Sequence, residues 1–152
     1  MKNFKNVMLL LLVVLTIASC TKENNDREIT SSFEWVDGNN FTHDVTIGAS
    51  NVFPIYIKNT TNDSLTLNVE VLENTIPAMW MGMVCIYETC FNELPPVGTN
   101  KEMFSFINSE GYVRLTVNPM GIGSGGALRL KVYDVNKPSD SKTCSWTVTA
   151  VE

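Results

Sequence analysis

The groups able to do chemistry in this chain are few: four cysteines (Cys20, Cys85, Cys90, Cys144), a single histidine (His43), and methionines at Met79, Met81 and Met83. Cys85 and Cys90 are separated by Ile86-Tyr87-Glu88-Thr89. Dithiol oxidoreductases place two residues between their cysteines, at a helix N-terminus that lowers the attacking thiol's pKa. Here four intervene, Glu88 adds negative charge and no helical periodicity follows, so thiol catalysis is not expected. In an extended strand Met79, Met81, Met83 and Cys85 project from one face. Thioethers and a thiolate are soft ligands suited to Cu(I). Same-face residues lie about 7 Å apart along a strand, so such a site needs ligands from a second strand. The expectation is that these adaptable side chains fill a sandwich core. A copper-handling strip is the alternative, and otherwise no metal or cofactor is expected. A blue-copper centre requires two histidines with a cysteine, which one histidine cannot supply. His43 shares a strand side with Phe41, Val45 and Ile47, and is expected to pack there with its polar edge at the rim.

Other matches fail on context. Gly121-Ile122-Gly123-Ser124-Gly125-Gly126 contains the dinucleotide spacing, yet that motif must open a helix, and Ala127 to Val135 alternates as a strand. A flexible connection is the expectation for this glycine run. His43 and Asp44 are sequence neighbours on opposite strand faces, and no Gly-x-Ser-x-Gly elbow occurs, so Ser-His-Asp catalysis is not supported. Glu70 and Glu73 read as surface charges, not a glycosidase pair. With 11 Lys and Arg against 16 Asp and Glu, the chain carries a formal charge of -5 and offers no basic field to a nucleic-acid backbone. No catalytic residue emerges, and the protein is not expected to be an enzyme.

The elements that position these residues are strands. From Glu28 onward period-two alternation recurs and no ten-residue segment has apolar positions at helical spacing. Expected strands are Ile29 to Trp35, Phe41 to Ile47, Val52 to Asn59, Leu65 to Leu72, Met79 to Ile86, Met103 to Ile107, Tyr112 to Val117, Ala127 to Val135 and Thr143 to Val151. Turn formers separate them, such as Asp37-Gly38-Asn39-Asn40 and Asn136-Lys137-Pro138-Ser139-Asp140. Leu65, Leu67, Val69 and Val71 alternate with Thr66, Asn68 and Glu70, and Leu128, Leu130 and Val132 with Arg129, Lys131 and Tyr133. Each segment has one dry face and one wet face, as in a sheet packed on a second sheet. Eight or nine short strands spaced this way indicate an all-β, immunoglobulin-like β-sandwich, with a small closed barrel as the alternative.

The N-terminus is an address. Lys2 and Lys5 precede an apolar run from Val7 to Ile17, then small residues. The run falls short of the ~20 apolar residues a membrane span needs and reads as a signal peptide. Its end, Leu15-Thr16-Ile17-Ala18-Ser19-Cys20, resembles the lipobox of bacterial lipoproteins, which implies removal of residues 1–19 and lipidation of Cys20. Several acyl chains on one cysteine, at ~0.8 kcal/mol per buried CH2, make a stable anchor that does not span the membrane. Residues 20–28 then form a polar tether, and 29–152 the folded domain. Losing Lys2 and Lys5 leaves 9 basic against 16 acidic side chains, so the mature charge is -7. Cys20-Thr21-Lys22-Glu23 resembles the export signal of Bacteroidota surface lipoproteins, with Asn24 where a second acidic residue is usual. The resemblance implies the outer membrane, displayed at the cell surface, with the periplasmic face as the other location.

With Cys20 acylated, three thiols remain in an oxidising compartment. A Cys85–Cys90 bridge with Cys144 as a core thiol is the simplest arrangement, and bridges from Cys144 to either partner stay open. Ile55 to Val69 resembles the strand-turn-strand of Ig-like domains in secreted bacterial proteins. The Trp80, Cys85, Cys90 spacing is similar to one in small secreted Bacteroidota sandwich domains. Asp63-Ser64-Leu65 resembles the Bacteroidota O-glycosylation motif. These resemblances imply an architecture and no catalytic residue. The resulting expectation is a non-catalytic envelope lipoprotein, structural or binding in role, whose partner is an envelope protein or a glycan. Recognition is expected through loops bearing Trp80, Tyr87 and Phe91, with Gly121 to Gly126 as a second candidate loop.

Overall fold

The computed structural model describes residues 31–87, 89–102, 110–121 and 124–152. The expected signal peptide, Cys20, the expected tether, Glu88, the expected strand Met103 to Ile107 and Ile122-Gly123 lie outside the described residues. The described residues form ten strands: β1 (Phe33–Trp35), β2 (Asn40–Thr46), β3 (Asn51–Asn59), β4 (Leu67–Asn74), β5 (Met81–Ile86), β6 (Thr89–Cys90), β7 (Asn100–Glu102), β8 (Glu110–Asn118), β9 (Gly125–Asp134) and β10 (Lys137–Val151). They form two five-stranded sheets, ordered β1-β3-β8-β5-β6 and β2-β10-β9-β4-β7. The run β1-β3-β8-β5 reproduces the A-B-E-D order of an immunoglobulin sheet, and β10-β9-β4 its G-F-C order. Every pairing is antiparallel except β2 with β10. The fold is an immunoglobulin-like β-sandwich.

Alternation places the core. Leu65, Leu67, Val69 and Val71, Leu128, Leu130 and Val132, and Cys144, Trp146 and Val148 are all buried in the second sheet. Ile55, Ile57, Val84, Ile86, Val113, Leu115 and Val117 face them from the first. Burying a side chain of this size stabilises by roughly 1.5 to 3 kcal/mol.

Several boundaries differ from the sequence reading. β6 and β7 were not expected, because two or three mostly polar residues carry no alternation; β7 exists only through its pairing with Asn68, Val69 and Glu70 of β4. β10 begins at Lys137, not Thr143, with Pro138 accommodated where the register shifts between Lys137 and Ser141. β4 runs to Asn74, with a second register shift between Val71 and Glu73. Met79 and Trp80 precede β5 in a turn closed by the Trp80 N–H donating to the Pro77 carbonyl (2.9 Å).

A polar latch ties the start of the domain to the β9–β10 hairpin. The buried Asp140 accepts from the Ser32 N–H (2.5 Å) and the Ser31 hydroxyl (2.8 Å). Asp134 accepts from the Ser32 hydroxyl (2.8 Å) and from the Asn136 N–H (2.9 Å). Burial alone would raise the Asp140 pKa. The Ser32 N–H, the two hydroxyls and Lys137 outweigh it and hold the carboxyl below its ordinary value.

Candidate functional site

An open cleft of about 820 Å³ lies where the β4–β5 connection meets the first half of β5 and the segment after β6. Its apolar lining includes Ile76, Trp80, Met81, Met83 and Leu94; Asn74, Asn92, Glu93, Thr116 and Asn118 supply the polar groups. The walls are tied locally. The Asn74 amide donates to the Pro95 carbonyl (2.9 Å), and the Thr75 N–H to the Ala127 carbonyl (2.8 Å). Leu94 packs over Gly82, where a Cβ would meet the Leu94 side chain at 2.9 Å. The Asn118 Oδ1 is buried without a hydrogen-bond partner among the described residues, an acceptor left open within the lining.

The methionines correct the sequence expectation. They do not fill the core: Met79, Met81 and Met83 are 68%, 61% and 38% exposed. The reason is parity. The face of β5 that turns inward carries Gly82, Val84 and Ile86, and the methionines occupy the other. Met83 pairs with Thr116, which pairs with Val52, and Met81 pairs with Asn118. Val52, Pro54 and Tyr56 of β3 are exposed on that same outer face, so exposed apolar side chains stand on β3 and β5, with Arg114, Thr116 and Asn118 of β8 between the two strands. No thioether stands opposite Met81 or Met83, and Cys85 is bridged, so the second-strand ligands that copper would need are not supplied across this ladder.

The three aromatic residues expected at a binding loop are placed differently. Trp80 is 4% exposed, part of the core, with its indole N–H donating to the Ser124 hydroxyl (3.2 Å). Trp80 stands in the turn before β5 and packs into the core with Val84 and Ile86. Tyr87 and Phe91 are half-buried against the core. Tyr87 adopts φ of 51°, the left-handed region, in the turn of the β5–β6 hairpin, and its ring lies 5.9 Å from that of Tyr112. Phe91 carries the Lys101 ammonium 4.7 Å above its ring. These residues do not form an exposed aromatic platform.

Cys85 and Cys90 are bonded, with an S–S distance of 2.01 Å, across directly paired positions of β5 and β6. Cys85 is fully buried and Cys90 exposed. Arg114, opposite Cys85 on β8, brings Nη2 to 3.3 Å from the Cys85 Sγ. Sequence reasoning missed Arg114, because long-range register decides its neighbour. Cys144 is a buried free thiol, and desolvation pushes its pKa up.

His43 is stacked 4.0 Å from Phe53 and 6.0 Å from Phe41, half-buried, with Asp44 exposed on the opposite face. Glu70 and Glu73 pair with Lys131 (3.3 Å) and Arg129 (3.6 Å) at the surface. Gly125 and Gly126 belong to β9 and not to a flexible connection. A Cβ on Gly126 would overlap the backbone of Thr75 and Ile76, so close approach of two chains requires glycine there. Ser64 is exposed in the β3–β4 connection. Among the described residues no group of three or more His, Cys, Asp and Glu is placed to hold a metal ion.

No protein-family model matches the chain, and no curated protein sequence matches it. Solved structures do. The N-terminal domain of PorA superposes with a TM-score of 0.50 at 16% identity, over 78% of this chain and 96% of that one. PapD-like domain 7 of human CEP192 gives 0.45 at 12% identity, over 80% and 87%. The secreted serine protease VesC from Vibrio cholerae gives 0.45 at 10% identity, with 24% of that chain covered. At this identity the PorA likeness is one of fold alone.

Proposed function

We propose that this protein is a non-catalytic binding domain of the bacterial cell envelope, lipid-anchored through Cys20 at the outer membrane and displayed at the cell surface, with another envelope protein as its partner. The observation that carries the reading is the exposed apolar outer face of the first sheet beside the cleft: Met79, Met81, Met83, Val52 and Tyr56 are all more than a third exposed. A group of large exposed apolar side chains on neighbouring strands marks an interaction site, and methionine suits a surface that must adapt to a partner. A protein is favoured over a glycan because Trp80 is buried, which removes the aromatic platform on which a sugar ring would stack. The tether and lipid would hold such a domain at the membrane while leaving the face free.

The test is photo-crosslinking in living cells. A photoreactive residue at Met81 is expected to yield one discrete envelope-protein adduct, and the same residue at the exposed Thr147 of the second sheet none. Equal yields from both positions, or none from Met81, would overturn the reading. Metabolic labelling with an alkynyl fatty acid tests the anchor separately: label is expected on the native protein and absent from Cys20→Ala.

A further inference from the structure

The Cys85–Cys90 bridge is chemically lopsided. Cys85 is fully buried, and Cys90 on the edge strand β6 is exposed. Beside the buried sulfur alone stands a guanidinium, Arg114 Nη2, at 3.3 Å. Among the described residues Arg114 has no carboxylate partner, the ion pairs there being Lys58 with Glu34, Arg129 with Glu73, and Lys131 with Glu70. Its Nε is buried and makes no hydrogen bond, while the guanidinium lies over the Tyr112 ring at 5.4 Å. A half-buried cation without an anion is costly, and a neutral disulfide sulfur is a poor acceptor for it. The anion that would complete this site is the Cys85 thiolate.

We infer that the bridge is a thiol–disulfide exchange site for a protein dithiol, with Cys90 the sulfur attacked and Cys85 the leaving group held by Arg114. A thiolate of the incoming dithiol attacks Cys90 Sγ. A new S–S bond forms to Cys90, the Cys85–Cys90 bond breaks, and its electron pair leaves on Cys85 as a thiolate beside the guanidinium. The second thiol of the dithiol, as its thiolate, then attacks the dithiol's own sulfur in the mixed disulfide and releases Cys90, which takes up a proton. The dithiol is oxidised to a disulfide and the bridge reduced to the Cys90 thiol and the Cys85 thiolate, a two-electron exchange that runs in either direction. Cys144 shows the contrast: buried with desolvation alone, its thiol is driven away from ionisation.

The test uses the full-length mature protein in detergent. Exposed to glutathione, quenched in acid and mapped by mass spectrometry, the mixed disulfide is expected on Cys90 with Cys85 free. Glutathione on Cys85, or no adduct, overturns the assignment. Reduction by dithiothreitol is expected to slow about tenfold in Arg114→Met, because the leaving thiolate loses its cation. Arg114→Lys, which keeps the charge, should recover most of that loss. A native rate in Arg114→Met, or Arg114→Lys no faster than Arg114→Met, counts against the role of Arg114. A readout independent of folding in the Arg114 variants is thiolate absorbance in Cys90→Ser. There Cys85 is expected to ionise at least about one pH unit below the free-cysteine value of about 8.5, and ionisation at or above that value refutes the inference.

Discussion

Replacing Asp140 by Asn tests the polar latch at the start of the domain. The carboxylate receives the Ser32 N–H at 2.5 Å and the Ser31 hydroxyl at 2.8 Å in a site that leaves Asp140 only 7% exposed. Asn keeps the shape and one acceptor oxygen, but sets an NH2 against one of these donors. A hydrogen bond to a charged group contributes about 1.5 to 3 kcal/mol, and a buried donor left unsatisfied costs about 1 to 3. Losing one bond while weakening the other therefore predicts a destabilisation of about 2 to 3 kcal/mol at pH 7. The pH dependence follows from the lowered pKa of Asp140. A carboxyl whose folded pKa lies below its unfolded value contributes stability in full above the unfolded value, near 3.9, and loses it as pH falls through the folded one. The gap between native protein and Asp140→Asn should thus be widest at pH 6 to 7 and close below about pH 4. Urea unfolding of the chain from Thr21 onward, at pH 7, 4.5 and 3, reads this directly. A gap that stays constant across the three pH values, or widens in acid, would refute the reasoning.

Gly126→Ala should destabilise by about 2 to 3 kcal/mol, since its Cβ would press on the Thr75–Ile76 backbone and not on a flexible side chain; a thermal melt at the native temperature would contradict the close-approach argument. Leu130→Ala, fully buried, should cost about 2 to 5 kcal/mol in denaturant, while the exposed Met81→Asp should stay within about 0.5. The Cys144 thiol should resist a thiol reagent in the folded protein and react at the free-thiol rate in urea, because it is both buried and driven away from ionisation.

The inner faces were legible in the sequence because alternation there is uninterrupted. Leu67, Val69 and Val71, then Leu128, Leu130 and Val132, then Cys144, Trp146 and Val148 all lie where period two puts them. The bridge between Cys85 and Cys90 was legible from their spacing. Parity also held for β5, grouping Met81 with Met83 and, on the other side, Val84 with Ile86. What parity leaves open is which of two faces becomes the inside. A run with methionine on one face and Val and Ile on the other was resolved by packing against the second sheet, not by local preference. Register between distant strands was equally unreadable. Nothing near Cys85 in sequence announces Arg114, twenty-nine residues on. Likewise Ser31 and Ser32 meet Asp140 only after the whole sandwich has closed.

The proposed docking of an envelope partner on the exposed face of the first sheet has a direct test. The most direct measurement places the photo-crosslinker at Met79 in living cells and compares the native protein with Met81→Asp/Met83→Asp, whose two changes lie on the exposed face and spare the core. The discrete adduct is expected to disappear in the double variant while lipid labelling at Cys20 and the melting temperature stay the same. An adduct of undiminished yield in that variant would contradict it.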